Sequence, residues 1–153
     1  MLCWSTEWSA HPWSAPPSSV VKLNADASLV DEGLVGLGIA VRNHKGKIIF
    51  VATRRTRAFW PLEVDEAKAL FHALRLGKKY HLQHIILESD CKVVIDCLSK
   101  GATFAADIGT VLCNILSLCT NFNSVIWSHV TCDGNCVANS LAKLVPFRVE
   151  QIW

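Results

Sequence analysis

From Val20 the chain alternates, with Val21, Leu23 and Ala25 apolar and Lys22, Asn24 and Asp26 polar. This period of two predicts a half-buried strand with Asp26 near its end. Asp31-Glu32-Gly33 reads as a turn, residues 35–42 (VGLGIAVR) as a second strand, Asn43 to Gly46 as a tight turn and 47–55 (KIIFVATRR) as a third strand. Connections this short predict an antiparallel meander. The period then becomes helical from Pro61 to about Tyr80, with Ala67, Leu70, Phe71 and Leu74 on a buried stripe and Asp65, Lys68, His72, Arg75 and Lys79 on a wet one. The run HIILES (84–89) has strand length and is apolar enough to be covered on both faces. Helices are expected over Cys91–Ser99 and Ala105–Cys119, and a fifth strand over 124–130. A last helix should start near Asp133 or Gly134, end before Pro146, and bury Val137, Leu141, Leu144 and Val145. The order βββαβααβα requires a mixed sheet, a three-strand antiparallel meander plus two parallel strands joined by right-handed crossovers and flanked by helices. This is an α/β fold.

Residues 1–19 are rich in Ser, Pro and Trp without periodicity and are expected to be a linker, 20–147 the domain and 148–153 a tail. A length of 153 residues suits one domain. Hydrophobic content of 51% with 18% charged residues excludes a disordered polyelectrolyte, and no run is long enough for a membrane span. The start of the chain lacks the basic and continuous apolar parts of a signal peptide, so an intracellular protein, nuclear or cytoplasmic, is expected. Nothing marks an oligomer interface, and a monomer is the default. The seven cysteines are odd in number and contain no CxxC pair, which fits reduced thiols buried on helix faces. Cys132 and Cys136 near His129 lack a fourth ligand at zinc spacing.

The formal net charge of +2 announces no global field for nucleic acid. Basic residues are local: Lys45, Lys47, Arg54, Arg55 and Arg57 along the second hairpin, Lys78 and Lys79 at a helix end. Carboxylates are more informative, because reactive groups in open α/β sheets collect beyond the carboxyl ends of parallel strands, where Asp26 and Asp90 are placed. Alone, Asp26 reads more simply as an exposed strand-end residue and Asp90 as a helix N-cap. Glu66 shares a helical stripe with Leu70 and Ala73, so its carboxylate points to the buried side and needs a partner there. Glu63 competes for that role, while Asp65 reads as a solvated charge beside Lys68.

Four strings, LNADAS, DEAKAL at the head of a long helix, LESD closing a strand, and HVTCDGNCVANSLA, together resemble type 1 ribonuclease H. The likeness is to the reverse-transcriptase-like RNase H domains of plants, which often carry a Trp and Pro-Pro stretch such as Trp13, Pro16 and Pro17 ahead of the domain. It covers about residues 20 to 145. The resemblance implies an RNase H-like fold and a nuclease that cuts the RNA strand of RNA–DNA hybrids with two Mg²⁺ ions, Mn²⁺ able to replace them. It also implies metal ligands at Asp26, Glu66 and Asp90, and a proton-handling His129. The fourth ligand position carries Asn139 where Asp is expected, and an asparagine offers a carbonyl oxygen but no charge. Asp133 is more simply a helix N-cap than a replacement, and Ala27 stands where Gly is common. Asn135, Lys45, Arg54, Arg55 and Arg57 are expected to follow the nucleic acid. The short connection Lys100 to Phe104 lacks the basic insertion of some relatives, so binding should be salt-sensitive. The rival to a hybrid nuclease is a degenerate, retroelement-derived nucleic-acid-binding module, which Asn139 favours. A related exonuclease would want an acid where Ser28 stands.

Overall fold

The computed structural model describes residues 12–59, 61–101, 106–144 and 149–153. The first eleven residues of the expected linker, the connection at 102–104 and the helix end at Val145 lie outside the described residues. The elements are β1 (Val21–Asp31), β2 (Leu34–Arg42), β3 (Ile48–Arg57), α1 (Leu62–Lys79), β4 (His84–Ser89), α2 (Lys92–Lys100), α3 (Ala106–Cys119), β5 (Ser124–His129), a 3₁₀ turn (Asp133–Asn135), α4 (Cys136–Lys143) and β6 (Glu150–Ile152).

The strands form one mixed sheet in the order β5-β4-β1-β2-β3-β6. The antiparallel meander β1-β2-β3 and the parallel pairs β1-β4 and β4-β5 are those expected from the hydrophobic pattern. The sheet has a sixth strand, because the expected tail pairs antiparallel with β3, Thr53 opposite Gln151. A three-residue segment is too short to show a periodicity, and it is held by the open edge of β3 rather than by its own pattern. Within the segment expected to be a linker, Pro16 is buried and Trp13 packs on the sheet.

Strand alternation divides the sheet into two unlike faces. Leu23, Ala25 and Ala27 of β1, with Leu37, Ile39 and Val41 of β2, are buried in one hydrophobic core with Leu70 and Leu74 of α1 and Ile115 of α3. α1 runs unbroken through Gly77, where the ring of Phe122 and the side chain of Leu23 fill the space a side chain would take. The opposite face carries Lys22, Asn24 and Asp26 and is covered by α4. α4 does not bury the stripe predicted for it: Leu144 is exposed and Val137 and Leu141 are half-buried, whereas Ala138 and Ala142 are fully buried. The reason lies in β2, where a Cβ on Gly36 would strike the Ala142 carbonyl and one on Gly38 the Ala138 carbonyl. Two alanines against two glycines bring helix and sheet together at backbone distance, which aims Asn139 at Asp26, the residue paired with Gly38.

Two residues assigned to the wet stripe of α1 are buried. Asp65 is 1% exposed, since the chain entering the helix folds back and the Phe59 N–H donates to both carboxylate oxygens at 3.2 and 3.1 Å. Burial raises its pKa against the lowering effect of that bond and of Lys68. His72 is 9% exposed, and burial, aided by the Arg54, Arg75 and Lys68 charges, lowers its pKa to about 3, so the ring is neutral. A helical wheel assumes one neighbour, but this helix also meets the side chains of β3 and β6, as Arg54 and Arg75 both pair with Glu150.

Candidate metal centre

β1, β3, β4 and β5 all end at one edge of the sheet, where α1 begins. Asp26 projects from β1 toward the α4 side, Asp90 follows β4 directly, and Glu66 sits in the second turn of α1 and reaches across. One carboxylate oxygen from each lies within 4.8 Å of the others. Glu66 is fixed by the Ala27 N–H, which donates to Oε2 at 3.3 Å. Asn139 Nδ2 donates to Asp26 Oδ2 at 2.7 Å. Glu63, the competitor, is half-exposed and outside the cluster. Asp90 makes no side-chain cap, since the N-cap of α2 is Cys91. Asp133 caps nothing either: Thr131 Oγ1 accepts the Gly134 N–H instead, at 3.3 Å.

Asp26 and Glu66 are 2% and 7% exposed. Burial first, then the Asp26 and Asp90 charges, push the Glu66 carboxyl up to about 9. Burial and the Asp90 charge also push Asp26 up to about 6, against the lowering hydrogen bond from Asn139. Acids held this way lack a counter-charge, and a divalent cation supplies one. Three carboxylates form a hard oxygen donor set of the kind Mg²⁺ and Mn²⁺ take. The residues present therefore fit such an ion at Asp26, Glu66 and Asp90. The position of Asn139 adds a neutral amide whose N–H side faces Asp26.

His129 is half-buried at the end of β5, with Nε2 3.2 Å from the Asp90 backbone oxygen. A carbonyl only accepts, so Nε2 carries the hydrogen in that bond. The ring thus abuts the cluster through the backbone of Asp90. The neighbouring Asp90 carboxylate raises the Cys132 thiol pKa, first as an acceptor for the thiol and then by its charge.

The expected nucleic-acid residues separate. Arg54 stands on the α1 face, opposite Leu37 in the ladder, and pairs with Glu150 at 3.6 Å. Arg55 and Arg57, one and three positions further along the strand, share the face of Asp26, and Arg57 is exposed. Lys45 is exposed at the hairpin tip. Asn135 is not a surface contact: it is 1% exposed, with Nδ2 donating to the Ala25 carbonyl at 3.0 Å and Oδ1 accepting from Asn24 at 3.1 Å.

A polar layer beneath the cluster escaped the sequence reading. Asn24 Nδ2 donates to Glu88 Oε1 at 2.9 Å, Ser128 Oγ donates to Glu88 Oε2 at 2.7 Å, and Lys22 Nζ lies 3.2 Å from that same oxygen. Alternation held the signal. Asn24 and Glu88 each stand two residues before a candidate acid on neighbouring parallel strands, so each shares its acid's face.

The fold and the cluster define a type 1 RNase H-like domain. Residues 24–145 match the model of the reverse transcriptase-like family, and the chain belongs to that family. Solved structures agree on the fold. Ribonuclease H1 of the archaeon Halobacterium salinarum superposes with a TM-score of 0.70 at 21% identity over 80% of this chain and 92% of that one. The N-terminal RNase H domain of a Mycobacterium tuberculosis protein gives 0.73 at 20% identity, covering 80% and 90%. LC11-RNase H1, solved with an RNA/DNA hybrid, gives 0.68 at 13% identity, covering 80% and 91%. No curated protein matches the sequence. Among the described residues no helix is long and apolar enough to cross a membrane.

Proposed function

We propose that this domain is a metal-dependent ribonuclease that cuts the RNA strand of RNA–DNA hybrids, at a rate reduced by Asn139. The observation that carries the reading is the meeting of Asp26, Glu66 and Asp90 within 4.8 Å at the carboxyl edge of the sheet. These three residues would hold Mg²⁺, with Mn²⁺ able to substitute. When bound, such ions activate a water and offset the charge that develops on a phosphate. The neutral Asn139 supplies no anion at the fourth position. His129, whose ring lies against the Asp90 backbone, would assist proton traffic. Arg55 and Arg57 continue the acid-bearing face and would follow phosphates, whereas Arg54, spent on Glu150, would not. Discrimination of RNA from DNA would come from the 2′-hydroxyl.

A second reading is favoured by one contact. The Asn139 amide occupies an oxygen of Asp26 at 2.7 Å, as expected of a relic that holds nucleic acid without cutting it.

A labelled RNA–DNA hybrid decides between them. Incubation with Mg²⁺, and separately with Mn²⁺, should cleave the RNA strand and leave duplex DNA intact. Arg55→Glu with Arg57→Glu should weaken hybrid binding and reduce its salt dependence, while Arg54→Glu should leave both nearly unchanged. Retention of the hybrid with no cleavage in either metal would establish the binding module instead.

A further inference from the structure

The segment before β1 is part of the site's support. Trp13 lies across the face that carries Asp26, its indole against the cross-strand pair Lys22 and Arg42, whose cationic groups stand 5.2 and 4.7 Å from the ring centroid. Its ring meets the hairpin at Gly46, and its backbone nitrogen would be 2.8 Å from a side chain on Gly134. One residue thus touches β1, the β2–β3 hairpin and the turn that launches α4. Its polar contact is directional. Trp13 Nε1 donates to Asn24 Oδ1 at 3.0 Å, which obliges Asn24 to present its amide hydrogens to Glu88 and Asn135. Asn135 is then obliged to accept with Oδ1 and to donate to the Ala25 carbonyl, one residue before Asp26. Ser14 follows by accepting from the buried Lys22 ammonium at 2.6 Å.

We infer that Trp13 is a positioning residue for the acidic cluster, acting through the relay Trp13, Asn24, Asn135, Ala25 to fix the backbone that carries Asp26 and the start of the helix that carries Asn139. The inference rests on the metal-centre reading for its consequence, and on the hydrogen bonds alone for its structure. A donor taken from such a chain leaves the oxygen of the buried Asn24 without that partner, so the effect should reach the far end of the relay.

The test uses the full chain with Trp13→Phe, which keeps an aromatic ring but lacks the N–H, and Trp13→Ala, with Mn²⁺ as the probe and Asp26→Asn as the metal-site control. Trp13→Phe should shift the side-chain amide resonances of Asn24 and Asn135 and weaken Mn²⁺ binding about three- to ten-fold, as loss of one part-buried hydrogen bond implies. Should Trp13→Ala fail to fold, the Phe variant carries the test. Unchanged Asn135 resonances and unchanged Mn²⁺ affinity in folded Trp13→Phe would reduce Trp13 to packing and overturn the inference. If the wild type binds Mn²⁺ no better than Asp26→Asn does, the metal reading fails, and the relay stands or falls on the Asn135 resonances.

Discussion

Asn139→Asp is expected to raise Mg²⁺-dependent cleavage of the RNA strand by about ten-fold or more, and Asp26→Asn to abolish it. Ten-fold corresponds to about 1.4 kcal/mol of barrier, a modest demand on one added anion beside a doubly charged ion. The substitution has a second, independent signature. Asn139 Nδ2 donates to Asp26 at 2.7 Å; a carboxylate there replaces a donor by a like charge beside an already buried acid. The variant should therefore melt lower than the wild type without metal and regain more on addition of Mg²⁺. Asp26→Asn, by contrast, removes the acid that lies between Glu66 and Asn139, and should lose most metal-dependent stabilisation. A folded Asn139→Asp variant that gains stability with Mg²⁺, yet cleaves no better than Asp26→Asn, would place the defect elsewhere and leave the binding module as the better account.

The sequence was most legible where one neighbour dominates. β1 and α1 follow from periods of two and 3.6, β2 and β3 from the short turns that join them, β4 from an apolar run of strand length, and the strand-end placement of Asp26 and Asp90 with the inward stripe of Glu66 leads to the cluster found. It was least legible where an element meets several neighbours or depends on a missing side chain. The buried side of α4 is small, Ala138 and Ala142, because Gly36 and Gly38 let the helix sink to the sheet; hydrophobicity alone put larger residues there. Asp65 and His72 are polar by type, and their burial depends on a returning loop and on β6, neither visible in a helical wheel. Trp13 lay in a stretch with no period, so its role rests on a partner eleven residues away. Arg54, Arg55 and Arg57 read as one basic run, although alternation alone sends Arg54 to the opposite face from the other two.

Without metal, the protein should lose stability as pH rises from about 4.5 toward about 9, and Glu66→Gln should remove much of that loss. The folded state holds the Glu66 proton up to about 9, whereas the unfolded chain releases it near the ordinary 4.5. Between those values the folded state binds more protons, so its stability is fully present below the lower one and declines as pH climbs, by at most about 1.4 kcal/mol per pH unit from this group. Asp26 adds to the decline between its ordinary 3.8 and about 6. For a chain of this size 1 kcal/mol moves the melting temperature by roughly 2–4 °C, so melts between about pH 5 and about pH 8 resolve the slope. Other groups titrate in that window, and the difference between wild type and Glu66→Gln isolates the cluster. Saturating Mg²⁺ should flatten the wild-type slope, because a cation favours the ionised acids and its own binding strengthens as they lose protons. The same addition should do little for Glu66→Gln, which retains an oxygen but no charge. Parallel slopes for wild type and variant without metal would mean that Glu66 is ionised in the folded protein, and the need for a counter-charge, on which the metal assignment partly stands, would be gone.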